Sequence, residues 1–229
     1  GVLGSALQGS VFAMTANETK LYVGGRFNQF VSTNFNGVAV YDGSRWSTMA
    51  SPGGVGVEGG DVQSIAVSGI FVYVGGSFVR AGGVEAKYIA RWDGERWSSV
   101  GDVDGYVHTI SSQGGLVFAG GAFLSAGGNF VGGVALYREK LDGSVGDWEA
   151  LGKGVEGSVN SVAYVYQEGC VYVGGDFTSV SDDFGTRAAA GFTRWCLPRE
   201  SARGGTFEVA TAQEGDAVGA VLAVARVQV

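Results

Sequence analysis

His108 is the only histidine in the 229-residue chain, and Cys170 and Cys196 are its only cysteines. No relay using a second histidine, no histidine and cysteine metal cluster and no phosphate loop can be assembled from such a set. Asp176, Asp182 and Asp183 are close enough in sequence to suggest paired carboxylates for acid–base work, or oxygen ligands for calcium. Their spacing matches no calcium motif, and a solvated acidic loop explains them more simply. The chemistry-bearing residues therefore point away from an enzyme, with no cofactor and no metal. Two of them point to processing instead: the cysteines could form a bridge, and Asn17-Glu18-Thr19 is an N-glycosylation sequon.

The elements that must position these residues are written in a repeat. Gly24-Gly25-Arg26-Phe27, Gly75-Gly76-Ser77-Phe78, Gly120-Gly121-Ala122-Phe123 and Gly174-Gly175-Asp176-Phe177 stand about fifty residues apart. Each follows a short β-branched and aromatic run, such as Leu21-Tyr22-Val23 or Phe71-Val72-Tyr73-Val74, too short for a helix and bounded by glycine. A leading valine (Val11, Val62, Val107, Val159) precedes the second glycine by 14, 14, 14 and 16 residues. An aromatic (Tyr41, Trp92, Tyr137, Trp195) follows that glycine by 16, 16, 16 and 20, and a further one (Trp46, Trp97, Trp148, Phe207) comes 5, 5, 11 and 12 residues later. Strand spacing is kept while loops absorb the insertions.

A fixed period means one supersecondary unit copied and stacked. Asp42-Gly43 and Asp93-Gly94 tolerate the positive φ of a hairpin turn, so Val38 to Tyr41 should fold back on Arg45 to Met49, and Ile89 to Trp92 on Arg96 to Val100. Each unit reads as a four-stranded antiparallel meander. The expected fold is all-β, a β-propeller with blades at about 11–49, 62–100, 107–151 and 159–209, in one domain spanning 1–229. The doublet supplies backbone freedom where a strand converges on a crowded centre, and the phenylalanine should pack between sheets. Trp46, Trp97 and Trp148 recur at 51-residue intervals, which marks them as packing residues rather than a sugar-stacking surface. His108 occupies the place of Phe12, Gln63 and Asn160, and reads as a variable strand residue.

The order of glycine doublet, aromatic and tryptophan resembles a kelch-type blade, and more closely the repeats of the fungal cortical polarity marker family and related secreted propellers. The carrying residues are Tyr73-Val74-Gly75-Gly76-Ser77-Phe78, Ala81-Gly82-Gly83, Ile89-Ala90-Arg91-Trp92-Asp93-Gly94 and Trp97. The fourth unit departs from the pattern, with Cys196-Leu197-Pro198 in place of the aspartate-glycine turn and a polar stretch from Arg199 to Gly205. The third carries extra residues from Arg138 to Asp147. Both insertions lie between third and fourth strands and should protrude on the same rim.

Leu3 to Ser10 matches Leu151 to Ser158, so the chain should begin in the tail of a preceding blade, and residues 216–229 read as the start of a fifth. Four full blades with partial blades at both ends suggest a fragment of a larger protein, because uncovered strand edges invite pairing. The alternative is a small propeller closed by its own last strand.

Pairing strands 170–177 and 189–196 antiparallel sets Cys170 opposite Cys196, close enough for a disulfide after local adjustment. A bridge would imply an oxidising compartment, while two buried thiols would fit the cytosol. With Asn17 in the loop between the first two strands, an extracellular or cell-surface glycoprotein is expected. The net charge of −7, without a basic stripe, argues against nucleic acid and acidic membranes. No apolar run approaches the roughly twenty residues of a membrane span, so direct insertion by this segment is not expected.

The function these features imply is a non-enzymatic structural or interaction module whose partner is a protein or copies of itself. The alternatives are a glycan-binding propeller and a non-catalytic part of a kelch-like enzyme. Candidate contact residues are those that vary after the doublets: Arg26, Asn28, Gln29, Arg80 and Asp176, whose side chains should crowd one face.

Overall fold

A computed structural model describes residues 7–30, 33–140, 142–197 and 206–208. All regular elements among them are strands or turns, and every sheet is antiparallel. The chain divides into two compact units, the first ending at Asp102 and the second beginning at Val103, and each contains two large sheets.

In the first unit, Leu7–Ala16, Leu21–Phe30, Val38–Tyr41 and Trp46–Thr48 form one meander, and Val62–Ser68, Phe71–Gly76, Ile89–Trp92 and Trp97–Ser99 form the next. In the second unit the third sheet is Tyr106–Gln113, Leu116–Ala122, Val134–Arg138 and Asp147–Ala150. The fourth is Gly154–Val165, Cys170–Asp182, Phe192–Cys196 and Thr206–Glu208. The four-stranded meander read from the repeat is thus present four times, in chain order. The expected tail Gln8 to Ser10 is part of the first strand, while residues 1–6, the stretch 198–205 and the expected fifth repeat at 216–229 lie outside the described residues.

The glycine doublet is a β-bulge. Val11 pairs with Gly25 and Ala13 with Gly24, which leaves Phe12 as the extra residue. The same shift leaves out Gln63, His108 and Asn160 in the other sheets. A Cβ on the second glycine would fall on the carbonyl oxygen of Ser10, Asp61, Tyr106 or Ser158, so a residue without one is required there. That glycine is then stitched to a residue further along: the amides of Gly25, Gly76, Gly121 and Gly175 donate to the carbonyls of Gly37, Tyr88, Gly133 and Gly191 at 2.9–3.0 Å. The amides of those four residues donate in return to Phe27, Phe78, Phe123 and Phe177 at 2.7–3.0 Å. All four returning residues have positive φ, between 67° and 81°, and Tyr88 alone among them is not glycine. The four phenylalanines are buried, as their place after a stitched bulge requires.

Within each unit the two sheets pack through apolar faces. The first sheet lays Tyr22 and Val38 against Val62, Ile65, Val72 and Val74 of the second. The third lays Phe118, Val134 and Leu136 against Val159, Val162, Val171 and Val173 of the fourth. The leading valine sits on the first doublet glycine of the preceding sheet, since a Cβ on Gly24 or Gly120 would strike Val62 or Val159. In the second unit a backbone bond from the Val155 amide to the Gly132 carbonyl, 2.8 Å, reaches from the fourth sheet to the loop before the third strand of the third; in the first unit the matching bond, Val57 amide to Asn36 carbonyl at 2.8 Å, comes from a short three-stranded ribbon. In the second unit, the amides of Val162 and Tyr164 donate to the hydroxyls of Thr109 and Ser111 at 3.2 and 3.0 Å.

The tryptophans pack as their spacing predicts. Tyr41 pairs with Trp46, Trp92 with Trp97 and Tyr137 with Trp148 directly across strands, with ring centroids 5.1–5.3 Å apart. The buried Trp97 indole donates to the Met49 carbonyl at 2.8 Å, which links the ends of successive sheets.

The aspartate-glycine turns work through the aspartate as much as the glycine. Asp42 Oδ1 accepts from the amides of Ser44 and Arg45, both at 2.9 Å, and from the Ser44 hydroxyl at 2.7 Å. The Arg45 amide, then Ser44, hold the Asp42 carboxyl well below the usual carboxylate range. Asp93 repeats the arrangement with Glu95 and Arg96; burial pushes its carboxyl up, but those amides outweigh it and the net direction is down.

Candidate interaction surface

The bulge brings two variable positions of each repeat together. These are the extra residue on the first strand, Phe12, Gln63, His108 or Asn160, and the residue between the second glycine and the phenylalanine, Arg26, Ser77, Ala122 or Asp176. Two of the contacts are direct. The Arg26 guanidinium lies over the Phe12 ring, 6.0 Å from its centre, and the Asn160 amide donates to Asp176 Oδ2 at 2.9 Å. Phe12, Arg26 and Asp176 are exposed, and Asn160 is half-buried. Two sheets therefore present different chemical groups at the same spot, a cation with an aromatic ring in the first and an amide with a carboxylate in the fourth, while in the second the Ser77 hydroxyl accepts from the Asp61 amide at 3.0 Å.

The sequence singled out Arg26 and Asp176 but missed their partners. Phe12 and Asn160 were legible only as variable strand residues, because a bulge leaves no mark in the spacing on one strand. Arg26 is also tied across sheets, with Nε donating to Asp61 Oδ2 at 2.8 Å. The hydrogen bond to Asp61, and then its charge, raise the Arg26 guanidinium above its ordinary value. Asn28 is exposed on the same strand, and the backbone of Gln29 pairs with Gln8 and Asn34. Arg80 is exposed on a separate three-stranded ribbon, where its backbone lies between Glu58 and Glu85. Arg26 and Arg80 thus belong to different sheets. His108 ties the third sheet to the fourth: its Nδ1 donates to the Val159 carbonyl at 3.2 Å.

The acidic group after the fourth doublet divides. Asp176 faces Asn160 and Asp183 is exposed, but Asp182 is buried in the hairpin around 182–185 and ion-paired to Arg187. The solvated-loop expectation fails for Asp182, because a hairpin rather than a loop follows Cys170–Asp182. Among the described residues, no group of three or more histidines, cysteines or carboxylates is placed to hold a metal ion.

Cys170 and Cys196 are joined in a disulfide, with Cα atoms 4.0 Å apart, at directly opposed positions of neighbouring strands. The pairing read from the sequence is the pairing formed. Asn17 occupies an exposed turn, its Oδ1 accepting from the amides of Thr19 and Lys20 at 3.1 and 2.8 Å. The third-sheet insertion is closed by ion pairs of Arg138 with Glu149 and Lys140 with Asp147.

A groove of about 470 Å³ lies in the second unit, lined among others by Leu124, Phe130, Lys153, Glu156, Ser179 and Thr186. Phe130 presents an exposed ring to it, and the Ser179 hydroxyl donates to Glu156 at 2.8 Å. Among the described residues no helix is long and apolar enough to cross a membrane.

No protein-family profile matches the chain, and no curated protein does. Among solved structures it is similar to the crystal structure of the computationally designed Ika8 protein, at 14% identity and a TM-score of 0.41. That match covers 83% of this chain and 59% of the designed chain, so this chain spans less than two thirds of that protein's length.

Proposed function

We propose that the chain is a propeller segment with kelch-like blades, acting as a non-enzymatic interaction module of an extracellular or cell-surface protein. The observation that carries this reading is the contrast within each repeat. Glycines, phenylalanine and returning amide are bonded identically four times, while the two side chains beside them change in charge, size and hydrogen-bonding character. Selection for one reaction would concentrate special residues at one place; a surface for recognising a macromolecule distributes them over a constant scaffold. The disulfide supports an oxidising compartment, and the exposed Asn17 turn supports a glycosylated surface.

Binding of the labelled chain to the surface of its source cells tests the reading. Saturable binding should be lost in a Phe12→Ser, Arg26→Ser variant or an Asn160→Ala, Asp176→Ala variant whose melting curve keeps its shape. Absence of saturable binding by the intact chain, or unfolding of both variants, would overturn it.

The groove of the second unit favours a second reading, glycan binding, because an exposed Phe130 ring beside hydroxyls and a carboxylate suits a pyranose. A glycan array that stays negative at high protein concentration removes that reading.

A further inference from the structure

In three of the four sheets the leading valine and the residue three places on are covered. Val62 and Ile65, Val107 and Ile110, and Val159 and Val162 are each no more than 8% exposed. Their counterparts in the first sheet are Val11 and Met14, which are 40% and 67% exposed. The first sheet therefore shows solvent an apolar face that the repeat otherwise buries.

What covers such a face is visible inside each unit. Val62 sits on Gly24 beside Tyr22 and Val38, and Val159 sits on Gly120 beside Phe118 and Val134. The cover is a doublet glycine, an aromatic two residues before it and an apolar residue at the start of the third strand. The fourth sheet offers the same set in Gly174, Tyr172 and Phe192. Tyr172 and Phe192 stack with centroids 6.1 Å apart and are only half-buried, whereas Tyr22 and Phe118, at the position of Tyr172, are buried. Among the described residues the chain thus carries both halves of one interface, an exposed leading face and a half-buried covering face.

We propose that the first sheet of one copy docks on the fourth sheet of a second copy, head to tail, by the packing that joins consecutive sheets within a unit. Val11 sits on Gly174 of the second copy and Met14 lies against Tyr172, where a flexible thioether fits an aromatic edge. The contact is heterologous, so assembly continues beyond a dimer unless the ring closes. This rests on the interaction-module reading and names one partner for it.

Sedimentation of the full chain over a wide concentration range is the test. The intact chain should show mass rising with concentration, and Met14→Lys should weaken association by at least about tenfold, since a charge would be buried in the contact. Phe192→Asp should do the same from the other side. Each variant alone should be monomeric, while an equimolar mixture should form a one-to-one dimer, because one open face of each kind survives. A monomeric intact chain at every concentration, or a mixture that stays monomeric while circular dichroism shows both variants folded, overturns the proposal. Cell-surface binding by the monomeric Met14→Lys chain is read separately, so failure of self-association and failure of the interaction module give different results.

Discussion

The amide of Gly121 donates to the carbonyl of Gly133 at 3.0 Å, and the amide of Gly133 returns to Phe123 at 2.8 Å. The two glycines are needed for different reasons. A Cβ on Gly121 would fall on the Tyr106 carbonyl, whereas one on Gly133 would meet its nearest neighbour at 3.4 Å and suffer only from a φ of +81°. Gly121→Ala should therefore cost about 3 kcal/mol through backbone displacement. Gly133→Ala should cost about 1 kcal/mol through left-handed strain. Urea denaturation of the two variants checks the order, and equal losses would refute the distinction.

The disulfide closes a loop between residues 26 apart in sequence. Replacing both cysteines by serine should lower stability by about 3.5 kcal/mol on the loop-entropy estimate. Thiol titration of the unreduced protein should find none free, and a stoichiometric thiol signal would show that the bridge does not form.

The turn aspartates should make stability depend on pH in one direction. Asp42 and Asp93, together with Asp142, whose Oδ1 accepts from the Ser144 amide at 2.9 Å, all have folded carboxyl pKa values below the ordinary one, held by turn amides and, at Asp42 and Asp142, by a serine hydroxyl as well. Their contribution is complete above the unfolded value of about 4 and fades as pH falls through the lower folded values. Asp42→Asn keeps an acceptor oxygen but removes the titration. The stability gap between wild type and Asp42→Asn should shrink as denaturation is repeated from pH 6 down to pH 2. A gap that widens on acidification would contradict the assignment.

Trp97 joins the end of its sheet to that of the sheet before it through the bond from its indole to Met49. The Met49 carbonyl also accepts from the Gly56 amide at 3.0 Å, so Trp97→Phe removes one of its two donors and should cost about 1 kcal/mol. Near-ultraviolet circular dichroism should keep its native form at low temperature while the melting point falls. An unchanged melting point would make the bond energetically neutral.

The repeat determined most of the fold by itself. A glycine doublet behind a β-branched run, with aromatics at fixed distances, admits only short antiparallel strands, and the opposition of Cys170 and Cys196 followed from strand spacing alone. Alternation of side chains every second residue makes such register legible along a chain. Tertiary structure decided the rest, because it depends on what lies across a strand. The bulge that pairs Phe12 with Arg26 and Asn160 with Asp176, and the return bond from Gly37 or Tyr88, join residues 10 to 16 positions apart whose types carry no common signal. The burial of Asp182 and its ion pair with Arg187, and the exposure of Met14 where Ile65 is covered, likewise depend on neighbours that no local pattern specifies.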